Sequence, residues 1–260
     1  MKKALFFDID GTLMYGELGE NIIPEAVKTQ LQRLKQKGHY IFIASGRPIA
    51  FVSKQITDLN FDGYVLCNGA HVEIHGQRIY EKPIAYEDMV SLKKLLDGVD
   101  CEYDFETATN CYIDKKFVHF DTFFRQCDIN NDMLLHDFDE QEVMHRTLKV
   151  EISAIDCKQE IEKHIAGKFR YDTHGTQNSF EICSQDVSKA KGIAMILEHL
   201  HISTANCYAF GDGVNDLEMI QFAGHGIAMK NAVDSLKAVA DEVIGDVKEN
   251  GLADYLQTIQ

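Results

Sequence analysis

Asp8 and Asp10 are the first residues in the chain whose types and spacing could do chemistry. They stand in Asp8-Ile9-Asp10-Gly11-Thr12, directly after the apolar run Ala4-Leu5-Phe6-Phe7. At a strand end, residues two apart can present both carboxylates on one side of a sheet. Paired carboxylates can attack an electrophile, trade protons or ligate a hard cation. Taken alone, the pair is equally well an Asp-Gly turn with solvated side chains. A calcium loop of the EF-hand kind is a third reading. It needs further oxygen ligands ending in a distal Glu, which Met14-Tyr15-Gly16 does not begin to supply.

The elements around the pair change its meaning. Residues 4–7 read as a short buried strand. Pro24 opens a helical pattern with Val27, Leu31 and Leu34 on one face and Gly38 as its stop. Residues 40–44 are a second strand, ending in Ser45-Gly46-Arg47-Pro48. Residues 64–67 are a third, ending in Asn68-Gly69-Ala70. Towards the C-terminus, Ser188-Lys189 precedes a helix marked by Ile193, Ile196, Leu197 and Leu200. The strand 207–210 runs into Gly211-Asp212-Gly213-Val214-Asn215-Asp216, and residues 226–229 and 242–244 read as further short strands. This β-α-β rhythm predicts an α/β fold with a parallel sheet, whose ligands collect at the carboxyl ends of the strands. Asp8, Asp10, Ser45, Gly46, Lys189, Asp212, Asn215 and Asp216 all fall at strand ends or before a helix. Each fragment is weak by itself; in this order they can converge on one edge.

The middle of the chain has another pattern. Met89, Leu92 and Leu96 mark a helix, residues 149–155 alternate as a half-exposed strand does, and strands 169–173 and 179–183 flank the hairpin signal His174-Gly175-Thr176-Gln177. An α+β domain over residues 84–183, inserted into a core of 1–83 and 184–260, accounts for this. The length of 260 residues suits one large domain or two modest ones at roughly 100–200 residues each.

Bulk properties narrow the function. With 45% hydrophobic and 26% charged residues the chain is an ordinary globular one. Its net charge of −15, from 41 acidic and 26 basic side chains, repels nucleic-acid backbones and anionic membranes. A small phosphate can still bind if positive charge is placed locally. The seven cysteines are odd in number, scattered and free of Cys-x-x-Cys spacing, which reads as reduced thiols in a cytoplasmic protein. The apolar run after Lys2 and Lys3 stops at Asp8, too short for a signal peptide, and no stretch approaches the ~18 apolar residues of a membrane span.

With these motifs assembled, the chain resembles the haloacid dehalogenase superfamily, specifically the Cof-type phosphatases with a large inserted cap of the C2 (type IIB) kind. The matching stretches are Asp8-Ile9-Asp10-Gly11-Thr12, Ser45-Gly46-Arg47, Ser188-Lys189 and Gly211-Asp212-Gly213-Val214-Asn215-Asp216. Asn68-Gly69-Ala70 and Ala240-Asp241-Glu242-Val243 are similar to the family as well. The resemblance implies a Rossmann-like doubly wound core and magnesium-dependent hydrolysis of small phosphate monoesters. Asp8 would be the nucleophile, forming an aspartyl phosphate, and Asp10 the acid-base residue. Mg²⁺ would be held by the side chains of Asp8 and Asp212 and the backbone carbonyl of Asp10. Ser45, the amides of Ile9 and Gly46, Lys189 and Asn215 would hold the phosphate. Asp216 would orient Lys189 or complete the metal's surroundings, and Arg47 would bind phosphate or brace the Ser45 loop. Lys189 is preferred over Lys191 by the match to a Ser/Thr-Lys-x-x-Gly-Ile pattern. In the related ion pumps the position of Asp10 is threonine; aspartate there favours rapid hydrolysis or phosphomutase chemistry.

Other features carry less. His71 and His75 have the spacing of a helical zinc pair, but their surroundings alternate as a strand, which separates them by ~13 Å. Phe117, Phe120, Phe123 and Phe124 read as core or a helix face, and His174 as a residue of the cap that could contact substrate. A hexose phosphomutase is the alternative enzyme, and a non-catalytic phosphate-binding module the alternative of another class. Sugar phosphates come first among the expected substrates, ahead of pyridoxal phosphate and nucleotides, by analogy with the family.

Overall fold

The structure, a computed structural model, describes residues 1–16, 21–127, 130–154, 157–173 and 179–260. Its strands in chain order are β1 (Ala4–Phe7), β2 (Tyr40–Ala44), β3 (Gly63–Leu66), β4 (His71–Ile74), β5 (Gln77–Glu81), β6 (Glu102–Glu106), β7 (Cys111–Ile113), β8 (Leu134–Leu135), β9 (Lys149–Ser153), β10 (Phe169–Thr173), β11 (Ser179–Ser184), β12 (Cys207–Gly211), β13 (His225–Ala228) and β14 (Glu242–Val243). Contacts divide the chain into two units. One takes Met1–Gly46, Lys54–Tyr80 and Ser188–Gln260; the other takes Arg47–Ser53 and Glu81–Val187.

The first unit is built on an eight-stranded sheet in the order β14-β13-β12-β1-β2-β3-β4-β5. From β14 to β3 every pairing is parallel, and β4 turns back antiparallel to β3. β1 lies in the middle and is buried along its whole length, as a strand covered on both faces must be. Its side chains alternate between two apolar layers. Phe6 stacks on Phe42 with ring centroids 4.9 Å apart, in the layer that holds Ile193, Ile196 and Leu197 of the helix Lys189–Leu200. Phe7 stacks on Phe210, also at 4.9 Å, and Phe210 meets Tyr255 of the helix Gly251–Thr258 edge-on. That helix packs against the helix Glu25–Gln36, where Arg33 donates to the carbonyls of Leu256 (2.5 Å) and Ile259 (3.2 Å). The result is the Rossmann-like α/β arrangement expected, with helices on both faces.

Parallel order has a consequence for chemistry. β1, β2, β3, β12 and β13 all deliver their carboxyl ends to the same sheet edge, where crevices form in open α/β sheets. Strand boundaries shift by a residue from expectation, two of them at the site's edge. The third strand stops at Leu66, and Cys67 already lies in a left-handed turn (φ 49°); the strand expected at 226–229 runs from His225 to Ala228. Both follow from where the ladder ends, which apolar content alone does not mark.

The second unit has a six-stranded sheet in the order β10-β11-β9-β6-β7-β8, antiparallel except for the β7-β8 pair. Tyr103, Phe105, Val150, Ile152, Phe180 and Ile182 form its apolar side, against the helices Tyr86–Leu96 and Lys158–Ile165. Alternation puts Asp104, Glu106, Lys149, Glu151 and Glu181 on the opposite side. The expected half-exposed strand is buried at its charged start: Lys149 is 2% exposed. Its ammonium is hydrogen-bonded to Glu181 and lies 3.7 Å from Glu151; Glu106 faces it at 3.1 Å outside hydrogen-bonding geometry. Asp104 accepts the Glu151 N–H at 2.9 Å and the Cys111 thiol at 2.9 Å, and its carboxyl is pushed up to about 7 by burial, then by Glu151. Phe117, Phe120 and Phe124 are buried, as core residues, while Phe123 stays partly exposed. Ile155 and the predicted hairpin turn with His174 lie outside the described residues.

One buried ammonium among this many carboxylates is a point of fragility. Removing it strands buried negative charge, a loss of about 3–5 kcal/mol for a broken buried pair. Lys149→Met should lower unfolding stability by that order in urea. The double variant Lys149→Met/Glu181→Gln should recover part of the loss.

Candidate active site

The strand ends bring four carboxylates and one ammonium together. Asp8 follows β1, and its N–H donates to Phe210 O at 3.0 Å, tying it to β12. Lys189 is the first residue of the helix Lys189–Leu200, whose cap is Ser188; the Ser188 Oγ accepts the Lys191 N–H at 3.3 Å. Lys189 Nζ donates to Asp8 Oδ1 at 2.7 Å and to Asp216 Oδ1 at 2.6 Å, with its side chain fully buried. Lys191 is exposed. A cation at a helix N-terminus opposes the helix dipole, so Lys189 is held there by its two carboxylates. Burial disfavours its charge, but Asp216 and then Asp8 outweigh burial and raise its pKa.

The carboxylates fare differently. Asp8 is pushed well up, by burial first, with Lys189 acting against burial and Asp216, Asp212 and Asp10 adding to it. Asp212 is pushed up to about 7, by burial and then by Asp216. One ammonium does not balance Asp8, Asp10, Asp212 and Asp216, so protons or another cation must make up the difference.

Oxygens of Asp8, Asp212 and Asp216 lie within 4.8 Å of one another, a spacing that could hold a metal ion. The three are not equivalent. Asp216 is already committed, with Oδ1 on Lys189 and Oδ2 accepting the N–H groups of Asp212 and Gly213, each at 2.9 Å. Asp8 and Asp212 keep oxygen capacity, and hard carboxylate oxygens beside excess negative charge suit Mg²⁺ or a similar ion. Asp212 is oriented by Thr12, whose Oγ1 donates to Oδ1 at 3.0 Å. Asn231 adds to this, donating to Gly11 O at 2.8 Å and standing 3.5 Å from Asp212 Oδ2. Gly11 has φ 75°, and a Cβ there would fall 2.2 Å from Asp212 Oδ2, so the approach of these two loops requires glycine.

The remaining expected residues distribute as follows. Asp10 is exposed, past the strand end, and close enough to affect the titration of Asp8 and Asp212. Ile9 is buried. Ser45 is buried at the end of β2, its N–H on Val65 O at 2.8 Å, with Gly46 beside it. Asn215 donates through Nδ2 to Asn68 Oδ1 at 3.3 Å. Arg47 groups with the second unit, where it donates to Phe51 O at 2.6 Å, a contact that braces its own loop. His71 begins β4, where its Nε2 lies 3.7 Å from Glu73, and His75 turns out of that strand. All seven cysteines are free thiols. Thr12, Asn68 and Asn231 had no role in the sequence reading. Thr12 and Asn68 stood inside the quoted motifs, and Asn231 follows β13 at the same sheet edge, so a polar residue after each parallel strand was the signal.

The chain is similar to known proteins along nearly its whole length. The profile of the haloacid dehalogenase-like hydrolases matches residues 5–256. YkrA of Bacillus subtilis, a candidate phosphatase, is 31% identical over 256 residues, covering 96% of this chain and 95% of its own length. The 5-amino-6-(5-phospho-D-ribitylamino)uracil phosphatase YitU of Bacillus subtilis is 26% identical, covering 96% of this chain and 94% of its own. Among solved structures, the subclass IIB sugar phosphatase BT4131 superposes with a TM-score of 0.84 at 26% identity, covering 98% of each chain. Among the described residues, no helix is long and apolar enough to cross a membrane. The chain therefore belongs to the haloacid dehalogenase-like hydrolase family, as an enzyme of its phosphatase branch.

Proposed function

We propose that this chain hydrolyses small phosphate monoesters, sugar phosphates foremost, with Mg²⁺ and through a covalent phosphate on Asp8. The observation that carries the reading is the buried Lys189 bridging Asp8 and Asp216 beside Asp212, at the carboxyl edge of a parallel sheet. The sugar phosphatase among the similar structures supports the substrate class.

The residues divide the work. An Asp8 carboxylate oxygen attacks phosphorus, and the bond from phosphorus to the leaving oxygen breaks. A carboxylate needs no base to activate it once ionised. Asp10 gives its proton to the leaving oxygen, and then takes one from the water that attacks phosphorus and frees Asp8. The exposed position of Asp10 suits a residue that exchanges protons twice per cycle. The Ile9 and Gly46 amides, Ser45, Lys189 and Asn215 hold the phosphoryl oxygens, and Asp216 keeps Lys189 in place. Two like charges ~4 Å apart repel by about 4 kcal/mol at an effective dielectric of ~20, so a phosphate dianion entering beside these carboxylates needs opposite charge. Asp8 and Asp212, with the Asp10 carbonyl, would hold Mg²⁺. When bound, the ion neutralises the carboxylates and stabilises charge on the transferring group. The unit Glu81–Val187 would act as the cap.

Phosphate release from a panel of monoesters tests the reading. Asp8→Asn should abolish turnover without unfolding the protein. Asp10→Asn should lower kcat by about 10²–10⁴-fold, and chelator should remove activity that Mg²⁺ restores. Full activity in Asp8→Asn would rule out the mechanism.

The Asp212 carboxyl also has a signature without metal. Its folded pKa of about 7 lies above the ordinary 3.8. The folded chain therefore holds a proton that the unfolded chain has lost, and this favours folding below about pH 4 and is lost as pH rises through 7. In chelator, the melting temperature of the native protein should fall across that interval. Asp212→Asn should show a smaller fall; equal slopes would contradict the assigned crowding.

A further inference from the structure

Residues 67–69 hold an uncommon backbone. Cys67, Asn68 and Gly69 have φ values of 49°, 53° and 95° in succession. Left-handed conformations cost non-glycine residues free energy and persist where surrounding structure enforces them. Asn68 is 2% exposed and sits where three loops of the site meet. Its N–H donates to Ser45 O at 3.1 Å. Its Oδ1 accepts the Asn215 Nδ2–H at 3.3 Å. The next residue, Gly69, lies so close to the helix carrying Lys189 that a Cβ would stand 2.1 Å from Ser188 O. Asparagine tolerates this left-handed position and supplies a side-chain acceptor there, a combination that glycine lacks.

We infer that Asn68 is a positioning residue for phosphate binding: it fixes the amide plane of Asn215 and holds the Ser45 loop in register with it. This rests on the reading of Asn215 and Ser45 as phosphate-holding residues. A primary amide has two N–H groups. With one anchored on Asn68, the other has a set direction, and the amide cannot turn its carbonyl toward an anion. The Asn68 side chain thus acts through Asn215, and its backbone N–H acts through Ser45.

The two roles separate in a double-mutant cycle. Asn68→Gly keeps the backbone N–H and is at ease at φ 53°, so it removes the acceptor without adding strain. Binding of inorganic phosphate, with Mg²⁺ present, is measured by calorimetry for the native chain, Asn68→Gly, Asn215→Ala and the double variant, with urea unfolding confirming that each is folded. Asn68→Gly should weaken phosphate binding by roughly threefold to tenfold in the native background, the size of one hydrogen bond. In the Asn215→Ala background the same change should weaken it by less than about twofold, since coupled residues are non-additive. Equal factors in both backgrounds overturn the inference, because a merely structural residue would act alike in each. Failure of the native chain to bind phosphate overturns it together with the phosphatase reading. Phosphate binding and a coupled cycle without release from any monoester would sink the hydrolase reading alone.

Discussion

A buried ammonium at the positive end of a helix is stable only where carboxylates close around it, and Lys189 imposes that requirement on this fold. Its charge lies under both burial and the helix dipole, and Asp8 and Asp216 answer both. The two partners are then no longer independent of their loops. Asp216 uses its second oxygen on the N–H groups of Asp212 and Gly213, so the loop that satisfies Lys189 also sets the position of Asp212. Asp8 is anchored to β12 through Phe210 O. One lysine thus couples the end of β1, the end of β12 and the start of a helix.

Parallel topology makes the coupling possible. Six strands run the same way from β14 to β3, and their carboxyl ends form one row of loops. β3 closes the row, since the chain turns at Cys67–Gly69 and returns antiparallel as β4. That reversal brings Asn68 and Gly69 against the Ser45 loop, Asn215 and Ser188. The strained turn and the close approach of Gly69 are the cost of joining the last parallel strand to an antiparallel one at the site's own edge.

This explains what the sequence disclosed and what it withheld. β1 and β2 were legible because short uninterrupted apolar runs ending in Asp8 and Ser45 read as buried strands with polar ends. Lys189 was separable from Lys191 by pattern, although the geometric reason, that the first helical residue faces β1, is tertiary. Thr12, Asn68 and Asn231 act through partners 200, 147 and 19 or more positions away, and no local spacing encodes those pairs. In the second unit, alternation correctly separated the two sides of β9 but wrongly gave one of them to solvent. Lys149 reads as a residue of the solvated side because isolated charges are seldom buried; it is buried because it pairs with Glu181 across β9 and β11. Periodicity reports a side of a sheet, and pairing across strands decides whether that side meets water.

The contrast between Asp8 and Asp10 follows from the same physics. They are two residues apart and chemically identical, yet Asp8 is 7% exposed and Asp10 is exposed. Burial raises the free energy of the Asp8 carboxylate, and Lys189 recovers only part of it, since three more carboxylates stand nearby. A group in that condition gains most from any positive centre that arrives, whether a metal ion or an electrophilic phosphorus. Asp10, beyond the strand end and outside that enclosure, is open to solvent instead. In the proposed reaction the nucleophile needs the first environment and the acid-base residue needs the second. The chain supplies both within three residues because β1 ends between the fully buried sheet and its open edge.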